Sequence, residues 1–194
     1  MNNLILVRHG QSLWNKEKRF TGWADIDLTE HGKSEAKYAG KLIKELNIEI
    51  HSCFTSELKR AINSLNIILK ILSNQNNNIN KSWKLNERHY GELTGLNKDE
   101  IIKKHGHKQV NIWRRSFDVS PPPMNTNHPC KNKICKNIPK EKMVVTESLK
   151  DTYERVIPYY NNKIEPLISL KKNILIVFHG NSCRALLKKI FNIS

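Results

Sequence analysis

Two stretches of sequence decide the fold: Leu4-Ile5-Leu6-Val7-Arg8-His9-Gly10 and Ile174-Leu175-Ile176-Val177-Phe178-His179-Gly180. Each begins with a short, non-alternating apolar run, which is typical of strands covered on both faces in a parallel sheet. Because ligands of open α/β sheets bind beyond the carboxyl ends of the strands, His9 and His179 are predicted to share one pocket. One strand-end histidine is explained equally well by a structural hydrogen bond. Two histidines in equivalent strand-end positions favour a catalytic role.

The residues that follow the first strand predict helices with polar caps. Thr29 is predicted to cap a helix that runs to about Asn47, because apolar residues recur there at helical spacing. Ser56 is predicted to cap a second helix, in whose first turn Arg60 lies. Arg60 is therefore expected near the carboxyl end of the preceding strand, close to the histidines.

Extended segments separate these helices. A strand is predicted around residues 53–55, and another over residues 81–86 after an Asn-rich break at residues 74–80. Glu87 ends the latter strand. A carboxylate is therefore expected at the same edge of the sheet as the two histidines.

The second half of the chain contains more helical patterns and one long insertion. Helices are predicted at residues 98–105, ended by Gly106, and at residues 109–117, 147–167 and 182–191, with a kink at Pro158. Residues 118–146 have no periodicity and include three successive prolines, so a long surface loop is expected there. Alternating strands and helices predict an α/β fold, a three-layer sandwich with a mostly parallel central sheet. Residues 1–194 are expected to form a single domain with a loop insertion at about 118–146.

Composition limits the possible functions. The apolar runs are far shorter than a membrane span and no signal-peptide pattern is present, so a cytoplasmic protein without a membrane partner is expected. The net charge of +15 comes from 33 basic against 18 acidic residues. This excess fits a nucleic-acid surface or a site for small polyanions. The chain has no nucleic-acid-binding motif, so no nucleic-acid partner is expected. A basic nucleic-acid-binding module is therefore a much weaker interpretation of this sequence than an enzyme.

Cysteine spacing indicates neither disulfides nor a metal site. The four cysteines, Cys53, Cys130, Cys135 and Cys183, are scattered, and free thiols fit best. His128 with Cys130 and Cys135 matches no common zinc-ligand spacing. No metal is expected.

Several motifs, in this order along the chain, carry a family resemblance. They are Leu6-Val7-Arg8-His9-Gly10-Gln11-Ser12, Asn15, Phe20-Thr21-Gly22-Trp23, Thr55-Ser56-Glu57-Leu58-Lys59-Arg60-Ala61, Trp83-Lys84-Leu85-Asn86-Glu87-Arg88-His89-Tyr90-Gly91, Trp113-Arg114-Arg115 and His179-Gly180-Asn181-Ser182. The whole chain resembles the cofactor-dependent phosphoglycerate mutases of the histidine phosphatase superfamily. The Arg-His-Gly start indicates the superfamily, and the Glu-Arg-His-Tyr-Gly and Trp-Arg-Arg segments indicate the mutase branch.

The resemblance implies a role for each matching residue. It implies that His9 is the phosphorylated nucleophile, that Glu87 is the general acid and base, and that His179 stabilises the transition state. Arg8 and Arg60 would balance charge on the phosphoryl oxygens. The substrate-binding residues implied are Arg8, Gly10, Gln11, Ser12, Asn15, Thr21, Gly22, Arg60, Glu87, Arg88, His89, Tyr90, Lys98, Arg114, Arg115, Gly180 and Asn181.

The resemblance also implies the reaction and the partners. The expected activity interconverts 3-phosphoglycerate and 2-phosphoglycerate in glycolysis and gluconeogenesis through a phosphohistidine, with 2,3-bisphosphoglycerate as primer. Small phosphorylated anions are the expected substrates and a homo-oligomer, dimer or tetramer, the expected assembly. The family's C-terminal strand and tail are not represented in this sequence, so an exposed sheet edge beside His9 is expected. A phosphatase on the same scaffold and an inactive shortened mutase are the alternatives.

Overall fold

The computed structural model of the protein describes residues 2–73 and 78–193. Its strands are β1 (Leu4–Arg8), β2 (Ser52–Thr55), β3 (Asn78–Lys81) and β4 (Ile174–Phe178). Its α-helices are α1 (Leu13–Lys16), α2 (Glu30–Glu45), α3 (Lys59–Leu72), α4 (Lys98–Arg115), α5 (Leu149–Tyr159), α6 (Glu165–Ser169) and α7 (Gly180–Ile190). A π-helix at Tyr160–Ile164 joins α5 to α6, and short 3₁₀-helices lie at Trp83–Leu85, Gly91–Leu93, Lys131–Lys133 and Lys140–Lys142.

The four described strands form one parallel sheet in the order β1-β4-β2-β3. Strand β4 is central, and all five of its residues are buried. Its side chains alternate between two cores: Ile176 packs with residues of α5 and α7, whereas Val177 packs with residues of α2 and α3. The predicted three-layer α/β fold with a mostly parallel sheet is confirmed.

Two of the predicted details are wrong. The strand expected over residues 81–86 lies instead at Asn78–Lys81, where it pairs with β2, and Trp83–Leu85 is a 3₁₀-helix. Residues 74–77 of the expected Asn-rich break lie outside the described residues. Ser56 does not cap α3, whose N-cap residue is Leu58 without a side-chain cap. The Ser56 hydroxyl contacts His179 instead.

Other predicted helix features are confirmed. The Thr29 hydroxyl accepts a hydrogen bond from the Gly32 amide and so caps α2. Gly106 interrupts α4 with φ +78°, which confirms the predicted break between two helical pieces. The irregularity expected at Pro158 lies just beyond that residue, where the chain widens into the π-helix. A proline within a helix removes one backbone donor, which accounts for a distortion nearby.

The segment 118–146 packs against the connection between α1 and α2 and the start of α3 through a small core of its own. Ile134 and Ile138 are buried against Trp23 and Leu58. The Cys135 amide donates to the Trp23 carbonyl at 3.0 Å. The four cysteines are free, and no helix in the described part of the chain is long and apolar enough to cross a membrane.

The loop after β1 approaches α2 so closely that it requires glycine on both sides. A Cβ at Gly10 would lie 2.1 Å from the Gly32 carbonyl oxygen, and one at Gly32 would lie 2.1 Å from the Gln11 carbonyl oxygen. Gly10→Ala is therefore expected to lower stability by about 2–3 kcal/mol, or at least about 5 °C in Tm, because backbone must move to admit the methyl group. Thermal unfolding followed by circular dichroism measures this. Ser34→Ala, at an exposed position on α2, is the control, and a Gly10→Ala melt within 2 °C of wild type would contradict the close approach.

Candidate active site

The sheet brings the two motif histidines together. Strands β1 and β4 are hydrogen-bonded neighbours, and the His9 amide donates to the Phe178 carbonyl at 3.0 Å. The imidazole rings of His9 and His179 therefore lie with their centroids 4.9 Å apart, although 170 positions separate them in sequence. The sequence predicts one shared pocket for these residues, and the structure places the two rings side by side at the same edge of the sheet.

The surroundings of His9 leave one ring nitrogen available for attack. Nδ1 lies 2.6 Å from the Gly10 carbonyl oxygen, which can only accept, so Nδ1 carries the hydrogen. Burial, followed by the nearby charges of Arg60 and Arg8, lowers the pKa of His9 well below its usual value. The ring is therefore neutral at physiological pH, and Nε2 carries a lone pair rather than a hydrogen.

Arg60 is fixed directly beside that nitrogen. Its side chain is fully buried, and its two terminal nitrogens donate to the carbonyls of Ala24 and Gly22 at 2.9 and 2.8 Å. Its Nε donates a hydrogen bond to the lone pair of His9 Nε2 at 3.3 Å. Burial lowers the pKa of Arg60 to about 10, which still leaves the guanidinium charged at neutral pH. A fixed positive charge thus lies beside the position that a group bound to His9 Nε2 would occupy.

His179 is held from the opposite side. Its Nε2 lies 2.7 Å from the Ser56 hydroxyl, and its Nδ1 is buried without a hydrogen-bond partner among the described residues. Burial, with smaller contributions from Arg60 and His9, lowers the pKa of His179 well below its usual value. A buried polar atom without a partner is costly, so this nitrogen suits a bound ligand.

Glu87 is oriented by two backbone amides. Its Oε1 accepts from the Arg88 amide at 2.8 Å and from the Asn181 amide, in the first turn of α7, at 3.1 Å. Its Oε2 lies 3.8 Å from the position that a Cβ on Gly180 would occupy. The carboxylate therefore faces the same space as the histidines.

His9, Arg60 and Glu87 line a cleft of about 200 Å³ with a strong excess of positive charge, whereas the fully buried His179 is not among its lining residues. Seven basic side chains and one carboxylate contribute to its wall. The basic ones are Arg8, Arg19, Arg60, Lys98, Arg114, Arg115 and Arg184, and the carboxylate is Glu87. The lining also includes Asn15, Thr21, Gly22, Tyr90, Gly180 and Asn181, all predicted from the sequence. Such a cleft suits a small, highly charged anion.

Five residues expected to bind the substrate lie behind the cleft instead: Gly10, Gln11, Ser12, Arg88 and His89. Ser12 caps α1 and exchanges hydrogen bonds with Asn15, which does line the cleft. The Gln11 side chain accepts from the Thr29 hydroxyl, and Gly10 donates to Ser64.

Arg88 and His89 are both buried. Arg88 donates to the Arg114 carbonyl at 3.2 Å and stacks on Tyr90, with its guanidinium carbon 4.9 Å from the ring centroid. His89 faces a separate apolar cavity bounded by the segment 118–146. Arg88 thus contacts two lining residues, Arg114 and Tyr90, and its Nε and Nη1 are buried without a hydrogen-bond partner among the described residues.

Three lining residues were not predicted: Arg19, Phe20 and Arg184. Arg19 and Phe20 lie at the edge of a motif that was singled out. Arg184 lies one helical turn after Asn181 on α7, so the helical spacing after the His-Gly-Asn motif was the signal that could have found it. Within the described residues, no group of three or more His, Cys, Asp or Glu side chains is placed to hold a metal ion.

The buried histidines make stability depend on pH. Burial, with smaller contributions from Arg155 and His128, lowers the pKa of His89 from 6.5 to about 4. The unfolded chain therefore binds more protons between pH 4 and 6.5, and stability falls as the pH drops through that window. His89 alone is expected to lower the free energy of unfolding by about 2 kcal/mol between pH 7.5 and pH 5, with His9 and His179 adding losses of the same sign.

Urea unfolding at pH 7.5 and 5.0 measures this loss of stability, and the free energy of unfolding of His89→Gln should fall by about 2 kcal/mol less than that of wild type. Equal losses would contradict the assignment.

The parallel α/β sheet thus brings paired histidines, a buried arginine and a carboxylate together at a basic cleft. The sequence profile of the histidine phosphatase superfamily (branch 1) matches residues 4–194, and the chain belongs to this family.

Close relatives carry a more specific name. The chain is 51% identical over 197 residues to the 2,3-bisphosphoglycerate-dependent phosphoglycerate mutase of Hydrogenobaculum sp. (strain Y04AAS1), covering all of this chain and 80% of the relative. It is 52% identical to the protein of the same name from Pelagibacter ubique (strain HTCC1062), with coverages of 100% and 82%. The crystal structure of phosphoglycerate mutase from Bacillus anthracis str. Sterne superimposes with a TM-score of 0.73 at 22% identity, covering 98% of this chain and 80% of that one. The resemblance inferred from the motifs is confirmed.

Proposed function

We propose that this protein is a 2,3-bisphosphoglycerate-dependent phosphoglycerate mutase that interconverts 3-phosphoglycerate and 2-phosphoglycerate. The observation that carries the proposal is the neutral His9, with Nε2 facing Arg60, at the floor of a cleft with seven basic side chains. The close relatives of that name support it.

His9 Nε2 is the proposed nucleophile. Its lone pair attacks the phosphorus atom, a P–N bond forms, and the bond from phosphorus to the departing hydroxyl oxygen breaks. Arg60 and Arg8 balance the charge on the transferring phosphoryl oxygens, and the buried His179 Nδ1 is the proposed contact for one of them. The proposed order is that phosphorylated His9 first gives its phosphoryl group to the free 2-hydroxyl of bound 3-phosphoglycerate and then takes the phosphoryl group from the 3-position, which leaves 2-phosphoglycerate and phosphorylated His9.

Glu87 is the proposed proton carrier for the substrate hydroxyls. It removes the proton from the hydroxyl that attacks phosphohistidine, and it returns a proton to the oxygen that departs when His9 takes the next phosphoryl group. The two backbone amides on Oε1 leave Oε2 facing the cleft. Proton transfer is therefore assigned to Oε2.

The cleft contains further cations that can bind the parts of the ligand that do not react. A bisphosphorylated glycerate carries roughly four to five negative charges near neutral pH. Arg114, Arg115, Lys98 and Arg184 line the cleft beyond the reacting groups. We assign them to the carboxylate and the second phosphate, with Tyr90 and Asn181 joined by a hydrogen bond of 3.2 Å between their side chains.

The primer fits the same cleft. When bound, 2,3-bisphosphoglycerate supplies the phosphoryl group that first loads His9. The cations on the cleft wall and the unpartnered His179 nitrogen fit such an anion. We also propose a single domain over residues 1–194 with an insertion at about 118–146, a cytoplasmic location, a role in glycolysis and gluconeogenesis, and a homo-oligomer, dimer or tetramer, as the family resemblance implies.

The direct test is phosphorus NMR on the purified protein with 3-phosphoglycerate and a trace of 2,3-bisphosphoglycerate. We expect 2-phosphoglycerate to appear with little free phosphate, and the rate to fall when the primer is omitted. Free phosphate as the main product would identify a phosphatase on this scaffold. No change in any phosphorus species would contradict both activities.

A further inference from the structure

The backbone that presents Glu87 has no regular structure of its own. Residues 86–90 connect two 3₁₀-helices and belong to neither helix nor strand. Buried backbone N–H and C=O groups in such a segment need partners elsewhere in the fold. In this protein two charged side chains from a distant part of the chain supply them, Arg155 on α5 and Glu147 just before that helix.

The guanidinium group of Arg155 binds backbone carbonyls in and next to this segment. Its terminal nitrogens donate to the carbonyls of Lys84 at 2.7 Å, Asn86 at 3.0 Å and Glu87 at 2.9 Å. The same guanidinium lies over the Trp23 ring, with its carbon atom 5.6 Å from the ring centroid. The Trp23 indole also donates to the Glu87 carbonyl.

Glu147 binds both Arg155 and the backbone of the same segment. Its carboxylate accepts from Arg155 Nε at 2.6 Å and from the His89 amide at 2.8 Å. The Glu147 amide in turn donates to the His89 carbonyl at 3.0 Å. The side chains of Arg155 and Glu147 are only 8% and 3% exposed, so the pair is shielded from water.

Packing alone does not explain a pair of this kind. Burying two charges carries a desolvation cost that apolar side chains of similar volume would avoid. What apolar side chains cannot do is bind several backbone groups on both sides of Glu87 at once. The Glu87 carboxylate reaches the Asn181 amide, at 3.1 Å, only while its own backbone stays in place. The segment is thus held by the ion pair at its backbone and by α7 at its carboxylate.

We propose that the buried Arg155–Glu147 pair is the positioning element for Glu87, and that it holds the carboxylate in the cleft where protons pass to and from the substrate hydroxyls. This inference rests on the proposed function. Arg155 and Glu147 do not line the cleft, so they act through residues 84–89 rather than on the substrate.

The conservative variant Arg155→Lys tests this role. Lysine keeps the charge toward Glu147 but lacks the planar fork needed to reach several carbonyls together. We expect kcat for 3-phosphoglycerate to fall about 100-fold, because a displacement of about 1 Å in a catalytic group has an effect of that order. KM should change less than about threefold, since the cleft cations are untouched. Amide hydrogen exchange at His89 should become at least about tenfold faster.

Ile43→Ala is the matched control. Ile43 is buried on α2, in the core on the opposite face of the sheet, so its truncation lowers stability without touching residues 84–89. It should lower Tm and leave both kcat and exchange at His89 near wild type. Glu147→Asp, which shortens the acidic partner, should reproduce the Arg155→Lys effects in a second fold-conserving variant.

The outcomes separate the positioning role from the activity. A kcat within about threefold of wild type, or unchanged exchange at His89, in both Arg155→Lys and Glu147→Asp would overturn the proposal. Absence of mutase turnover in the wild type would contradict the proposed function. Exchange at His89 does not depend on turnover and still decides whether the pair holds the segment.

Discussion

Replacing His9 with alanine is expected to abolish the phosphoenzyme and to lower mutase turnover by at least about 10⁴-fold, because no other histidine among the described residues lines the cleft. His9 Nε2 is the nitrogen without a hydrogen, because Nδ1 donates to the Gly10 carbonyl, and it accepts a hydrogen bond from Arg60 Nε at 3.3 Å. His179 has its Nε2 at the Ser56 hydroxyl, and its Nδ1 is the proposed contact of a phosphoryl oxygen rather than the attacking atom.

The measurement is acid-labile ³²P incorporation from labelled 2,3-bisphosphoglycerate, followed by steady-state turnover of 3-phosphoglycerate. His31→Ala is the matched control, because His31 is an exposed residue of α2 whose ring lies 3.4 Å from the Glu35 carboxylate at the surface. It should label and turn over like wild type. Persistent acid-labile label in His9→Ala would refute the nucleophile assignment.

The central part of this site could be predicted because its determinants are local in sequence. The apolar runs before His9 and His179 define the strands, and parallel strands place their carboxyl ends at one edge. Arg60 follows from the same reasoning, since a residue in the first turn of a helix after a strand lies near that edge. The physical rule needs no knowledge of which strands pair.

The parts that could not be predicted depend on contacts distant in sequence. Strand β3 is mostly polar and exposed, and only its pairing with β2 defines it. Ser56 has the residue type of a helix cap, but its hydroxyl contacts His179, 123 positions away. The carbonyls held by Arg155 lie 68 to 71 positions from it. Local propensity carries no information about such partners, which tertiary packing selects.

Glu87→Gln is expected to lower kcat by about 10²–10⁴-fold, with KM for 3-phosphoglycerate within about threefold of wild type. Glutamine has nearly the same shape, and its side-chain oxygen can still accept from the Arg88 and Asn181 amides. The change therefore removes proton transfer and leaves the geometry in place. Steady-state kinetics in both directions measure the effect, and an unchanged Tm shows that the fold is intact.

The control for Glu87→Gln is a carboxylate close in sequence but outside the cleft. Glu92 accepts from the Asn125 amide at 3.1 Å and does not line the cleft, so Glu92→Gln should leave kcat near wild type. If Glu87→Gln kept kcat within tenfold of wild type, proton transfer would have to be assigned to another group. Among the described residues that line the cleft, Glu87 is the only carboxylate. A loss confined to Glu87→Gln therefore identifies the acid and base of the reaction, and it separates proton transfer from the electrostatic contribution of the surrounding arginines.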